Sequence, residues 1–314
     1  MTTVSHAVKG LGLTSPLEPS AAEPRLPAAA IGIACGAGAA LFWAAGFVSA
    51  RHGIAIGFSP ADLAFHRFVW AGLVFLPLVA RHGLADLGGV GWAKAVILTL
   101  LVGPLFSILS YSGFLLVPLG HGGVIQPSCA ALGGLALATA VLREKLPARR
   151  VAGAAVIVAG LAVIGGEAIA TIGAHGALGD LAFAAAGLMF AAFSTLLRFW
   201  RITPMRAVAV TSVVSLVDLP IHGLLFGFER MMALGLLENL LQAVVQGIFA
   251  GALSTYLFTR AVVLLGAGRA AVFPSLVPGF TLLIGFLALG EVPSLAQLAG
   301  FAIVLIGFRL TQTG

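Results

Sequence analysis

Ten apolar stretches of about 20 residues, joined by short connections, limit what this chain can become. An α-helix rises roughly 1.5 Å per residue, so each stretch can cross the roughly 30 Å of a bilayer's hydrocarbon. The stretches run over 29–50, 61–80, 92–115, 121–141, 150–168, 178–199, 207–227, 240–262, 269–289 and 296–312. Of the 314 residues 60% are apolar and 9% are charged, and the mean hydropathy is +1.10. A soluble domain carries roughly 25% charged residues, so too little polar surface is left here to face water. A soluble enzyme, a disordered chain and a disulfide scaffold are excluded. Cys35 and Cys129, the only cysteines, sit in apolar runs and read as free thiols. The pattern predicts an all-α, multi-pass membrane protein of ten transmembrane helices.

The net charge of +6 does not point to nucleic acid, because the basic residues punctuate the apolar stretches rather than cluster on one face. With the N-terminus inside, fourteen of the 17 Lys and Arg fall in cytoplasmic segments. Arg51 and Arg230 fall outside, and Arg67 lies within the second stretch. Cytoplasmic loops carry this excess, so both termini are expected inside. Residues 1–28, with Pro16, Pro19, Pro24 and Pro27, read as a disordered cytoplasmic tail rather than a signal peptide.

Sliding the chain against itself by 147 residues reveals an internal repeat. Glu144, Gly153 and Gly160 fall on Glu291, Gly300 and Gly307, and Pro127 and Ser128 on Pro274 and Ser275. Ser107 meets Ser254, Arg51 meets Arg198, and Ala44 and Ala45 meet Ala191 and Ala192. The repeats, 29–168 and 178–312, hold five helices each. An odd number places the second half upside down relative to the first. Inverted repeats recur in secondary transporters, whose substrate site lies near the midplane between the halves.

The segments that close the repeats, LREKLPARRVAGAAVIVAGLAVI (142–164) and LGEVPSLAQLAGFAIVLIGFRL (289–310), carry a resemblance. So do ALFWAAGFVSAR (40–51), FHRFVWAGLVFLPLV (65–79) and the paired Pro127 and Pro274. Together they resemble the EamA branch of the drug/metabolite transporter superfamily over about residues 29–312. The resemblance implies a secondary transporter of the cytoplasmic membrane, usually an exporter of small metabolites, amino acids or toxic compounds, commonly coupled to protons or to exchange.

Asp218 is the acidic residue nearest the middle of a span, and His222 follows it by one helical turn on the same face. A charge at that depth costs roughly 2.5–3.5 kcal/mol on insertion scales and normally faces a cavity or a partner. The pair reads as a proton-coupling site; the plainer reading is a protonated Asp bonded within the bundle. Arg67 can snorkel to the external surface or bind a substrate carboxylate, with Asp62 partly neutralising it. Trp43, Phe47, Trp70, Tyr111, Gln126, Ser128, Phe190, Ser194, Gln246, Ser254, Tyr256 and Ser275 are expected to line the cavity, helix packing being the alternative for each. Pro127 and Pro274, each expected inside a helix, are candidate hinges. Glu144 and Glu291 read as capping or ion-pairing groups, with direct substrate or proton handling as the alternative. Glycines at four- and seven-residue spacing allow close helix approach.

No phosphate-binding glycine loop, His/Cys metal spacing or nucleophile–base pair is visible, so no cofactor, metal or enzyme activity is expected. The expected partners are a small-molecule substrate, protons and lipid, with association as a homodimer left open. An exchanger or importer of a phosphate-bearing or vitamin-like metabolite is the rival reading. A membrane scaffold without transport is the rival from another class.

Overall fold

The computed structural model describes residues 28–117, 119–143, 147–166, 176–265, 267–270, 272–289 and 292–312. The expected tail, Glu144 and Glu291 lie outside the described residues. Every regular element among the described residues is helical. The main ones are α1 (Ala28–Ile56), α2 (Pro60–His82), α3 (Trp92–Leu116), α4 (Leu119–Ala140) and α5 (Ala148–Gly165), then α6 (Ala177–Phe199), α7 (Pro204–Leu225), α8 (Leu236–Leu265), α9 (Val277–Leu289) and α10 (Leu295–Gln312). Seven of them, α1–α3 and α5–α8, are long and apolar enough to cross a membrane. Shorter apolar helices stand where the fourth, ninth and tenth stretches were read.

Local chemistry sets the helix starts. Ser59 caps α2 by accepting the Asp62 N–H, Asp62 returns a carboxylate oxygen to the Ser59 N–H, and Pro60 opens the first turn. Thr203 and Pro204 open α7, and Ser294 with Gln297 forms the same reciprocal box ahead of α10. The connection between α2 and α3 turns on Gly83, Gly88, Gly89 and Gly91, all at positive φ, a region that costs glycine little.

Three of the expected uninterrupted spans are interrupted. α3 breaks at Gly103, where an extended residue precedes Pro104. Proline disfavours a helical conformation in the residue before it, so Gly-Pro stops one helix and starts the next. α7 tightens into a 3-10 turn at Ser215–Val217. α8 widens into a π-helix over Ala243–Leu253. Pro274 also corrects an expectation. It opens a 3-10 turn, Phe273–Leu276, just ahead of α9, where no intrahelical N–H is required, whereas Pro127 does lie inside α4.

The packing repeats across the two halves. α4 lies on α6 as α9 lies on α1; α1 lies on α8 as α6 lies on α3; α2 lies on α8 as α7 lies on α3. Two contacts, α2 with α7 and α5 with α10, map onto themselves. In the second, a Cβ built on Gly160 would stand 2.8 Å from the Gly300 carbonyl, and one on Gly300 2.8 Å from that of Gly160. Gly153 and Gly307 meet in the same way, at 3.0 and 2.8 Å. Exchanging the halves turns one glycine pair into the other, so α5 and α10 cross antiparallel about a local twofold. Between apolar helices in lipid there is little hydrophobic drive to associate, and close backbone approach through small residues supplies the attraction.

Candidate functional site

α2 and α3 from the first half meet α1 and the π-helical stretch of α8 around Arg67. The Arg67 guanidinium donates to the Tyr111 hydroxyl and to the Ala250 carbonyl, both at 3.4 Å. Tyr111 donates onward to Gln246 Oε1 at 3.0 Å, and Gln246 Nε2 donates to the Gly46 carbonyl of α1 at 2.7 Å. One turn away, Ser49 and Gln242 exchange two hydrogen bonds, at 2.9 and 3.0 Å. Tyr111, Gln242 and Gln246 are buried. Arg67 therefore keeps only neutral, long partners and faces no carboxylate among the described residues. Asp62 does not neutralise it as expected, because that carboxylate is held by the Ser59 N–H and stands beside His222.

Small residues let α8 come this close. A Cβ on Gly247 would strike Trp70 Cβ at 2.5 Å, one on Gly251 would stand 3.2 Å from the Arg67 carbonyl, and one on Gly46 2.7 Å from Ala250 Cβ. The Ala250 carbonyl that receives Arg67 also accepts the Ser254 hydroxyl, at 2.6 Å. Ala250 is the repeat mate of Gly103, where α3 breaks. Two of the helix irregularities, the α3 break and the π-helical stretch of α8, thus stand at equivalent places in the two halves, a pattern that marks transport sites.

The other expected lining residues divide. Phe47 stands edge-on to Phe114 at 6.0 Å, and Trp43 leans on Phe258 at 5.3 Å, so both contribute aromatic wall. Gln126 accepts from Ser110 at 2.7 Å, beside Tyr111 on α3. The enclosed Ser128 hydroxyl has no hydrogen-bond partner among the described residues. Phe190 packs on Phe193, and Ser194 lies half-buried on the same helix. Ser275 turns back onto its own chain at Val272. Trp70 and Tyr256 are 38% and 48% exposed and stand outside the Arg67 network; the Trp70 indole N–H instead donates to His66 Nδ1.

Asp218 and His222 are both buried in the last turns of α7, and no hydrogen bond joins them among the described residues. His222 Nε2 stands 3.2 Å from Asp62 Oδ1 on α2. Residue spacing within one helix found the two α7 groups and could not find their partner on another helix. Ser110, Gly46, Gly103 and Ala250 were likewise missed. Of these only Gly103-Pro104, a turn signal inside an apolar run, was there to be read.

A model of the EamA-like transporter family matches the chain twice, over residues 30–166 and 177–313. The chain belongs to the EamA-like transporter family. The two matches are themselves offset by 147 residues, the spacing of the internal repeat. As a member of the drug/metabolite transporter superfamily, the chain is a multi-pass membrane protein. A solved crystal structure, described only as that of a protein, has the same fold, with a TM-score of 0.65 at 21% identity over 90% of this chain and 96% of that one. No individually curated protein matches the chain.

Proposed function

We propose that this EamA-like protein is a secondary active carrier that exports small, amphipathic metabolites with an anionic group, amino acids among them, by alternating access. The observation that carries the reading is Arg67. It is a permanent cation within a span, between helices of both halves, held by two long neutral bonds and by no carboxylate among the described residues. A substrate carboxylate can displace the Tyr111 hydroxyl and the Ala250 carbonyl and form shorter, charge-assisted bonds to the guanidinium. Phe47, Phe114, Trp43 and Phe258 would enclose the apolar body of the substrate.

In this reading all ten apolar helices cross the cytoplasmic membrane, both termini lie inside, and the halves are inverted. The distribution of Lys and Arg supports the orientation, and the antiparallel α5–α10 crossing supports the inversion. Buried ionisable groups on α7, Asp218 and His222, supply the coupling proton. The test is metabolite profiling of the medium from cells making the native protein, cells making Arg67→Ala at equal membrane level, and cells with neither. A compound enriched outside only with the native protein is the expected result. Identical profiles from all three would remove the support for export.

A further inference from the structure

Where α2 begins and α7 ends, three ionisable side chains are buried together. Asp62 is 2% exposed, His222 1% and Asp218 8%. Asp62 Oδ2 accepts the Ser59 N–H at 2.7 Å, which is the capping role of this residue and uses one oxygen. The other oxygen, Oδ1, faces α7 and stands 3.2 Å from His222 Nε2. The approach is close enough for an ion pair but poorly aligned for a hydrogen bond: among the described residues both His222 nitrogens and Asp218 Oδ2 lack hydrogen-bond partners. Buried polar atoms are nearly always satisfied, so three orphans in one place call for an explanation. Phe65, Phe226 and Phe228 stand 4.9, 5.3 and 5.5 Å from the imidazole and wall the cluster off.

The neighbouring titratable groups are otherwise engaged. His66 on α2 accepts the Trp70 indole N–H at Nδ1 and so carries its proton on Nε2, which donates to Asn239 Oδ1 at 3.1 Å. His52 on α1 pairs with Glu238 on α8 at 3.0 Å. Glu229 and Arg230, in the short helix Glu229–Ala233, are exposed.

The repeat supplies an independent observation. The mates of Asp62, Asp218 and His222 at the 147-residue offset are Ala209, Ala71 and Phe75. Phe75 and Ala209 belong to an apolar cluster with Val79 and Val210. One end of the α2–α7 contact is therefore closed by ionisable groups, and the equivalent opposite end by hydrocarbon. Packing alone would be served by hydrocarbon at both ends.

We infer that Asp62 and His222 form one proton-binding site shared between the halves, with Asp218 as its second carboxylate, and that the bound proton latches this end of the bundle shut. The inference rests on the transport reading and deepens it, moving the coupling site from α7 alone to the α2–α7 interface. Without its proton the cluster holds two carboxylates against a neutral imidazole, a buried double negative charge that water must reach to stabilise. A proton taken from water onto His222 makes an imidazolium that can donate to Asp62 through Nε2 and to Asp218 through Nδ1. Releasing it returns the same proton to water as α7 moves off α2. Only N–H and O–H bonds change. The latch is closed in acid and opens as the pH rises.

The test reads distance and needs no substrate. In the full chain with Cys35 and Cys129 replaced by Ala, spin labels go on Ala55 of α1 and Leu224 of α7, both exposed, in lipid nanodiscs. Pulsed dipolar spectroscopy at about pH 5.5 and about pH 8, on either side of the ordinary imidazole range, should give one short distance in acid and an added longer population in base. Asp62→Asn, which keeps an oxygen for the cap, and His222→Gln should each give one distribution at both pH values. Ser59→Ala, which loses the cap and keeps the carboxylate, should respond like the native chain. A native chain indifferent to pH, or a full response in Asp62→Asn or His222→Gln, overturns the latch. If Asp62→Asn does not fold, His222→Gln decides. Because these distances are read without substrate, the latch can fail while export stands, and export can fail while the latch responds.

Discussion

Tyr111 both receives Arg67 and donates to Gln246, and those two bonds have different consequences when the hydroxyl is removed. Tyr111→Phe leaves Gln246 Oε1 buried without its donor, at a cost of roughly 1–3 kcal/mol. Polar contacts between membrane helices average nearer 0.6 kcal/mol, so the lower end applies. The same change releases the guanidinium rather than removing it. Tyr111→Phe should therefore lower the thermal midpoint in detergent by a few degrees and keep export within about threefold of native. Arg67→Ala should abolish export and leave the midpoint nearly unchanged. Arg67→Lys should fall between, because one ammonium cannot grip a carboxylate with two parallel bonds. Equal loss of export in Tyr111→Phe and Arg67→Ala would mean that the phenol itself holds the substrate.

At the scale of single helices, what could be read from the sequence and what could not have one physical cause. Helix existence is written in runs of apolar residues, and all ten stretches are helical over most of their described length. The α3 break is written locally in Gly103-Pro104, whereas the π-helical widening of α8 depends on contacts between helices and left no local mark. Gly247 and Gly251 read as ordinary small residues until Trp70 and the Arg67 backbone are seen pressed against them. The glycines of α5 and α10 were legible because the repeat pairs them. That Gly153 meets Gly307 rather than its own mate Gly300 is a fact of packing. Their prediction follows from the geometry: a Cβ on Gly160 stands 2.7–2.8 Å from backbone of α10, which cannot swing aside as a side chain can. Gly160→Leu should separate the pair and destabilise the protein by several kcal/mol, more than the usual 1–3 kcal/mol of overpacking. Gly134→Leu, where nothing among the described residues lies within 4 Å of an added Cβ, should be nearly neutral. Thermal unfolding of the two variants, followed by helical circular dichroism, separates them; equal midpoints would mean that the crossing contributes little.

For the molecule as a whole, the two halves share one plan and differ in chemistry. Perfect symmetry would give a carrier whose two open states are equal in energy. Arg67 has Val214 as its mate, Tyr111 has Phe258 and Gln246 has Thr99, so the polar layer is built from one side of the repeat relation. The buried acids and His222 mark one end of the α2–α7 contact, and in the proposed topology that end faces the outside. Protons from the acidic side of an energised membrane then meet the cluster first, and their entry can drive an anionic metabolite outward. Inside-out vesicles test this in one assay, since export becomes uptake into the lumen. Uptake of the metabolite found by profiling should rise when the lumen is acidic. It should fall to the level of Arg67→Ala vesicles when a protonophore collapses the gradient. The proposed cytoplasmic C-terminus requires a fused reporter that folds only inside the cell to remain bright. A bright reporter with uptake indifferent to the protonophore would keep the topology and replace proton coupling with exchange. A dark reporter would turn the molecule over and place the ionisable latch on the cytoplasmic side.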